Sequence, residues 1–243
     1  IWKIDDDDVN EVVYERVKRL MSTPGYRFAP IGNEDLYSAV EKVRTIYNKA
    51  WALFTGVQSM TSEEARQMAD TMRPIIDRNL IWFAYFNDEP IGFFIMVPDL
   101  NRLIGKYNGK FGIVNKLRLM WDLKVRKKSD RIFGIVFGIT PEFQGKGVES
   151  GMMKSMLDGY IRTKNNQYRS VEFAWIGDFN PTMNRMVERY ICARKHKMHT
   201  TYRYLFDRTK EFTRCPKVGF KPRPKVADAA TKAPEIHTAQ PTE

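Results

Sequence analysis

The sequence predicts a mixed α/β fold, that is, an α+β arrangement around a mixed sheet. Short apolar runs of strand length alternate along the chain with longer segments whose apolar residues recur at helical spacing. Two of these runs, at 132–139 and 170–176, enclose one helical segment. A strand–helix–strand unit of this kind implies a parallel pair with a right-handed crossover. Two other runs, at 80–86 and 90–97, are separated by three residues, which predicts an antiparallel hairpin.

Composition sets wide limits on the function. With 243 residues, 43% of them hydrophobic, the chain is long enough for one domain with extensions or for two small domains. Its formal net charge of +11 favours an anionic partner. Nucleic acid, CoA and an acidic membrane surface all satisfy that condition, and charge alone does not choose among them.

Cysteine and histidine are scarce. Cys192 and Cys215 lack metal-ligand spacing, which predicts free thiols in a reducing compartment and hence a cytoplasmic protein. His196 and His199 lie in a segment that reads as a strand, so we expect no metal site. No apolar stretch approaches the length of a membrane span and no signal peptide is visible, so we expect no membrane partner. The chain begins at Ile1 rather than Met, which leads us to expect a fragment or a processed chain.

Three regions are predicted along the chain. Residues 1–23 form a helical N-terminal extension, the expected remnant of a longer region, and the acids at 5–8 suit a helix start. Residues 24–207 form the main domain. Residues 208–243 are rich in Pro, Lys, Ala and Thr. We expect this basic tail to be disordered, because it cannot bury enough apolar surface to offset its ordering entropy.

Local signals define the first elements of the main domain. Residues 26–31 predict a short strand, and Pro30 predicts that it lies at a sheet edge. Asn33 is expected to cap the next helix, whose apolar stripe runs over 36–51. Residues 61–64, with the sequence TSEE, match a capping box and predict the start of a second helix.

The segment 101–130, between the strands at 90–97 and 132–139, is longer than a hairpin connection needs. Aromatic and aliphatic residues alternate in it with many lysines and arginines. We interpret it as an amphipathic helical cover with a solvated charged face. A substrate lid, a dimer surface and a patch for an anionic partner remain alternatives.

A candidate anion site follows the strand 132–139. The sequence QGKGVE at 144–149 leads into a helix, where glycines let the backbone approach a ligand and the helix dipole favours negative charge. The spacing matches neither the Gly-Lys-Ser/Thr phosphate loop nor the dinucleotide-binding Gly-x-Gly-x-x-Gly. A tight strand-to-helix turn also needs glycine when nothing binds, so the motif alone leaves both interpretations open.

The remaining elements complete a recognisable order. A strand at 170–176, a helix at 180–190 and a final strand at 198–206 are predicted. Over 24–207, this order and its motifs resemble the GNAT superfamily, and within it a bacterial branch described only as acyl-CoA N-acyltransferases. The motifs that carry the resemblance are PIGF at 90–93, PDLN at 98–101, TPEFQGKG at 140–147, WI at 175–176 with Asp178, NPTMN at 180–184 before Glu188, and YRY at 202–204.

The resemblance implies a GNAT fold with a long insertion between its third and fourth strands. It also implies acyl transfer from an acyl-CoA, most often acetyl-CoA, to an unidentified small-molecule or protein amine that attacks the thioester directly. No metal is implied, and a homodimer is compatible with it. The residues that would bind the acyl-CoA are Gly138, Ile139, Thr140, Gln144, Gly145, Lys146, Gly147, Val148, Glu149 and Asn180.

The resemblance leaves proton transfer without an obvious residue. The superfamily often uses a tyrosine to protonate the leaving thiolate, and the matching position is Val187. Glu172 and Asp178 are the candidate bases and Tyr202 is a further catalytic candidate. Each acid also has a structural interpretation, Glu172 as a surface strand residue and Asp178 as part of a turn. Asn180 is first expected to cap a helix.

Glu149 departs from the motif, which has Gly or Ala there. We expect its side chain to turn to solvent so that CoA binding survives. The alternative is that the carboxylate repels the pyrophosphate and weakens binding. With Val187, this residue supports a second function, a catalytically inactive GNAT-fold binding module. Nucleic-acid binding is a third, and the apolar residues within 102–128 argue against it.

Overall fold

A mixed sheet of seven strands organises the part of the chain that the computed structural model describes, residues 2–5, 11–51, 58–161, 163, 167–173, 175–190 and 193–213. The order across the sheet is β2-β3-β4-β5-β6-β1-β7. The strands are β1 Trp2–Asp5, β2 Tyr26–Pro30, β3 Ile81–Phe86, β4 Glu89–Pro98, β5 Arg131–Ile139, β6 Ser170–Phe173 and β7 Arg194–Lys195.

Helices flank this sheet on both faces. Those in the described residues are α1 Glu11–Met21, α2 Leu36–Trp51, α3 Ser62–Met72, α4 Asn101–Ile104, α5 Ile113–Met120, α6 Val148–Met156 and α7 Pro181–Arg185. Single π turns continue α5, α6 and α7 over Trp121–Val125, Leu157–Ile161 and Met186–Tyr190. None of these helices combines the length and apolar composition that crossing a bilayer requires.

The strand pairing confirms the predicted mixed sheet. Strands β2, β3, β4 and β5 form an antiparallel ladder, and β6 joins β5 in parallel. The parallel pairing ends where Gly134 meets Phe173. Beyond that pair, residues 135–139 of β5 have no strand on the β6 side within the described residues. We call this the open edge of β5.

Two apolar clusters hold the helices to the sheet. On one side of the sheet, α6 packs against β3, β4, β5 and β6, and its Met152 and Met156 are fully buried. On the other side of the sheet, α2 and α3 pack against β3 and β4, and Ile46 of α2 is fully buried. Helix α6 also lies very close to β2, because a Cβ at Gly151 would be 2.6 Å from the ring of Phe28.

Several local predictions are confirmed. Strand β2 lies at the sheet edge, as Pro30 indicated. Thr61 and Glu64 form both bonds of the capping box at the start of α3. The hairpin turn at Asn87 and Asp88 has positive φ at both residues, which suits two short polar side chains. The predicted cap of α2 was wrong, because Asp35, not Asn33, accepts the N–H of Ser38.

The two ends of the main domain differ from the prediction. Residues 11–21 are helical as expected, but β1 precedes them and pairs with β6 and β7. The predicted strand at 198–206 is absent, and these residues have no regular structure. The physical reason is that β1 already occupies the free edge of β6, so only Arg194–Lys195 adds to the sheet beyond it. Residues 214–243, most of the predicted tail, lie outside the described residues.

The insertion between β4 and β5 is confirmed as a helical unit of its own. It contains α4, α5 and the π turn that follows α5. Leu103, Tyr107, Leu119 and Leu123 form a small third apolar cluster, with Ile75 packed against it. The interpretation as a helical cover therefore fits these four residues, but Phe111, Leu117 and Trp121 are exposed instead.

Candidate functional site

The turn from β5 into α6 is the first part of the candidate site. A short 3₁₀ turn, Pro141–Phe143, follows the strand. Gly145 and Gly147 then adopt φ of +72° and +85°, a region that glycine enters without steric cost. Helix α6 begins directly afterwards at Val148, which is fully buried, so only the backbone of this residue faces the turn. The turn thus brings backbone N–H groups to the positive end of a helix dipole.

Hydrogen bonds tie this turn to the β4–β5 hairpin. The side-chain amide of Gln144 donates to the carbonyl of Ile139 at 2.9 Å. The N–H of Thr140 donates to the carbonyl of Ile91 at 2.9 Å. These two groups are therefore engaged within the protein. The hairpin thus uses the Thr140 N–H, and the predicted role of Thr140 in binding an acyl-CoA stays a prediction.

The same pairing decides which backbone groups face the open edge of β5. In an antiparallel pair, hydrogen-bonding groups point alternately toward and away from the partner strand. Since Thr140 donates to β4, the N–H groups of Ile139 and Phe137 point away from it. The N–H and the carbonyl of Gly138 point toward β4. A Cβ added at Gly138 would lie 2.8 Å from the ring of Phe93, so a larger side chain does not fit there. Of these residues, Phe137 and Ile139 therefore present N–H groups to the open edge.

Glu149 folds back onto the turn. Its Oε1 accepts the N–H of Gly145 at 3.3 Å. Burial raises the pKa of the Glu149 carboxyl, although its hydrogen bonds to its own N–H and to that of Gly145 act in the lowering direction. The expectation that this side chain turns to solvent is therefore wrong. Its carboxylate holds one of the N–H groups that an anion would use.

Lys146 is the cation at this turn. Its side chain is exposed, and Nζ lies 4.7 Å from the centroid of the Phe143 ring. This cation–π contact holds the ammonium beside the turn rather than on a carboxylate. Lys146 is therefore placed to add positive charge at the start of α6.

Glu172 is the centre of the second part of the site, a charged pocket in β6. The residue is fully buried, so its interpretation as a surface strand residue is wrong. Lys197 Nζ approaches Oε1 at 2.8 Å, His196 Nε2 approaches the same oxygen at 3.4 Å, and Arg131 lies 3.5 Å from Oε2. The cations Lys197 and Arg131 supply the compensating charge that the burial of a carboxylate requires.

The pocket contains residues that the sequence reasoning missed. Arg131, His196 and Lys197 were not assigned to the site. The side-chain Nε of Arg131 is buried and has no hydrogen-bond partner among the residues that the structure describes. One signal was available: Glu172 lies between Val171 and Phe173, both core residues, in a four-residue strand that is buried throughout. An acid in such a strand needs cations around it.

The other candidates have structural roles or lie apart. Asn180 caps α7, because its Oδ1 accepts the N–H of Met183 at 3.0 Å, as expected. Asp178 is exposed in the turn before this helix. Val187 is fully buried in the main cluster, so the chain has no hydroxyl at that position. Tyr202 is 89% exposed in the segment without regular structure.

The topology now decides the fold. An antiparallel ladder of strands leads to β5, and β6 pairs with β5 in parallel. Strands β5 and β6 separate at the open edge of β5. Helix α6, which starts at the glycine turn, connects β5 to β6. The chain has the GNAT fold. No protein-family model matches the chain. Relative to the usual order of GNAT elements, β1 is an added strand and the unit between β4 and β5 is an insertion.

Comparison with curated proteins gives two related sequences. The chain is 29% identical over 193 residues to a bacterial ceramide synthase from Caulobacter vibrioides, covering 77% of this chain and 49% of that protein. It is 25% identical over 177 residues to protein YghO from Escherichia coli, covering 71% of this chain and 44% of that protein. The chain therefore spans about half the length of the curated relatives it matches.

Solved structures give more distant similarities. An aminoglycoside N-acetyltransferase, AAC(6')-Iy, solved in complex with CoA, is 11% identical with a TM-score of 0.44, over 74% of this chain and 94% of that chain. An integron cassette protein from the Vibrio cholerae mobile metagenome is 14% identical with a TM-score of 0.45, over 76% of this chain and 95% of that chain. At these TM-scores the similarities add nothing to the topology.

Proposed function

We propose that the chain is an acyl-CoA-dependent N-acyltransferase that binds the CoA pyrophosphate at the start of α6. The observation that carries this proposal is the continuity of the open edge of β5 with the left-handed glycine turn and the N-terminus of α6. An open strand edge offers unpaired backbone groups to an extended ligand, and the helix start offers N–H groups to its phosphates. A CoA molecule has both an extended arm and phosphates.

The strand register sets the path of such a ligand. Phe133 pairs with Glu172, six residues before Ile139. At about 3.3 Å per residue, the two ends of this path lie roughly 20 Å apart. A pantetheine arm that pairs with Phe137 and Ile139 would carry its thioester from the turn toward the charged pocket. The proposal therefore places acyl transfer near Gly134, where β5 and β6 separate.

The pocket supplies the residues for proton transfer in this proposal. His196 has 34% of its side chain exposed, whereas Glu172 beside it has none. In this proposal, His196, whose Nε2 lies 3.4 Å from Glu172 Oε1, accepts the proton of the attacking amine. Glu172 then acts as the positioning residue. The proposal gives Asp178 and Tyr202 no part.

The acceptor that we propose is the amine of a long-chain amino alcohol. The support is the relative named ceramide synthase, because the formation of a ceramide is the N-acylation of such an amine. The same similarity favours a long-chain acyl-CoA over acetyl-CoA as donor.

The test is product formation by the 243-residue chain. Palmitoyl-CoA or acetyl-CoA is mixed with sphinganine or with a short water-soluble amine, and N-acyl product and free CoA are measured together. We expect an N-acyl product, and we expect His196→Asn to lower kcat at least about a hundredfold, the lower end of the range for a lost general base. His199→Asn is the matched control, since His199 is exposed on the same segment. Absence of product with every donor and acceptor would contradict the proposal.

A GNAT-fold binding module without turnover is the second candidate. Two observations favour it: Glu149 occupies the Gly145 N–H, and Val187 is a core residue at the position of the superfamily's tyrosine. This candidate predicts no thioester turnover with a broad panel of amines. Steady release of CoA would exclude it.

A further inference from the structure

We propose that the insertion carries a docking face for an anionic lipid surface. The face consists of Ile113, Val114, Leu117, Trp121 and Val125, on α5 and the π turn that continues it. Each of these residues is between 57% and 78% exposed. Their spacing places them along one side of the helix, which makes a continuous apolar stripe rather than scattered apolar residues.

The docking face is distinct from the face that holds the helix to the protein. Leu119 and Leu123 lie on the opposite side of the same helix and are buried with Leu103 and Tyr107. The insertion therefore already has its own core without the docking face. An apolar face that remains exposed after the helix has packed is typical of interaction surfaces.

The charges around the docking face are almost all positive. Residues 101–130 contain nine lysines and arginines but only two acids. Both acids are neutralised locally: Asp122 is buried beside Arg126 and Lys128, and Asp130 pairs with Arg102. The cations that form no ion pair with a carboxylate in the described part of the chain are Lys106, Lys110, Lys116, Arg118, Lys124 and Lys127.

The combination of stripe and charge favours a lipid surface over the other occupants. A helix with a basic polar side and Leu, Ile, Val and Trp on the other side is the type that lies in a membrane interface. Trp121 has the amphipathic ring that is enriched at that depth. Nucleic acid offers no apolar phase for four aliphatic side chains. In a symmetric dimer, a second copy would bring the same cations opposite each other.

The position of the docking face gives it a consequence for the site. The insertion ends at Arg131, which begins β5 and contacts Glu172 in the charged pocket. The insertion therefore joins β5 at the end that carries the charged pocket, opposite to the end with the glycine turn. Delivery of a lipid amine from this surface rests on the proposed function. Docking itself does not.

The test is co-sedimentation of the 243-residue chain with vesicles, without acyl-CoA. Vesicles of phosphatidylcholine with phosphatidylglycerol are compared with vesicles of phosphatidylcholine alone. We expect binding to the anionic vesicles that weakens as salt is raised, and much weaker binding to the neutral ones. Leu117→Glu/Trp121→Glu should lower the partition coefficient at least about tenfold. Met68→Glu, at an apolar residue that is 57% exposed on α3, is the matched control and should bind as the parent does.

A second variant keeps the test decisive if the first fails to fold. Lys116→Glu/Lys124→Glu changes only exposed cations and should lower anionic-vesicle binding by a similar factor. Failure of the parent chain to bind anionic vesicles would overturn the proposal, and so would unchanged binding by both double variants. A dimer that Leu117→Glu/Trp121→Glu converts to monomer, without vesicle binding by the parent, would assign the face to self-association instead. Acyl transfer to a water-soluble amine, measured without vesicles, tests the proposed function separately.

Discussion

The carboxylate of Glu149 accepts the N–H of Gly145 at 3.3 Å, across the turn where the proposed ligand places its pyrophosphate. An anion that binds there must displace this contact and approach a carboxylate. The protein therefore contains its own competitor for the site. Whether CoA overcomes that competitor separates an acyltransferase from a binding module.

The first prediction concerns Glu149 and ligand affinity. Glu149→Gln removes the negative charge but keeps an oxygen that can accept the Gly145 N–H. We expect this variant to bind CoA about tenfold more tightly, because a like charge beside the pyrophosphate is removed. Isothermal titration measures the change. Glu142→Gln, at an exposed acid in the preceding 3₁₀ turn, is the control and should leave the dissociation constant unchanged. Equal affinities for Glu149→Gln and the parent would show that the carboxylate does not compete.

The second prediction concerns the pH dependence of stability at Glu149. Burial raises the pKa of this carboxyl above its ordinary value of 4.5. A raised pKa means that the folded state holds the proton more tightly, so the stability it contributes is present below the ordinary pKa and is lost as pH rises through the folded pKa. The parent should therefore gain unfolding free energy relative to Glu149→Gln as pH falls from 7 to about 4. Urea titrations of both proteins check this, and a relative loss over that range would contradict it.

The third prediction concerns alkaline stability. The hydroxyls of Tyr160 and Tyr168 both donate to Asp77 Oδ2, at 2.9 and 3.3 Å. Burial, followed by the charge of Asp77, raises the pKa of both tyrosines above the ordinary value of 10.0. Their stabilising contribution is present below that value and is lost above it. The unfolding free energy should thus begin to fall above about pH 10, and less steeply in Tyr168→Phe. Tyr202→Phe, at an exposed tyrosine, should follow the parent.

The fourth prediction concerns the charged pocket. Glu172→Gln leaves Arg131 and Lys197 beside a neutral amide. Removal of one partner from a buried ion pair costs about 3–5 kcal/mol, and we expect the lower end because 46% of the Lys197 side chain is exposed. Glu188→Gln, at an exposed acid, should change the unfolding free energy by less than about 0.5 kcal/mol. Denaturant unfolding measures both, and equal effects would mean that the pocket does not stabilise the fold.

Local rules predicted the elements whose partners lie nearby in sequence. The capping box at Thr61 and Glu64 and the turn at Asn87 and Asp88 depend on a few successive residues, and both are present. The parallel pair of β5 and β6 followed from handedness and helix length. The cap of α2 was misplaced because Asn33 and Asp35 are both good caps, and the choice depends on where the chain leaves β2.

Competition between distant segments could not be read from the sequence. The apolar alternation at 198–206 suits a strand, but β1 occupies the edge of β6 that this strand would need. The charged pocket joins Glu172 to residues 41 and 25 positions away. Likewise, the direction of the Glu149 side chain depends on burial at the turn. In each case the deciding interaction is tertiary.

Isothermal titration of the parent chain with CoA, acetyl-CoA and palmitoyl-CoA tests the central claim most directly. We predict saturable binding with one CoA per chain, a thermal shift that rises with ligand concentration, and tighter binding by Glu149→Gln than by Glu142→Gln. No heat and no thermal stabilisation at roughly millimolar ligand, in either the parent or Glu149→Gln, would contradict an acyl-CoA site at this turn.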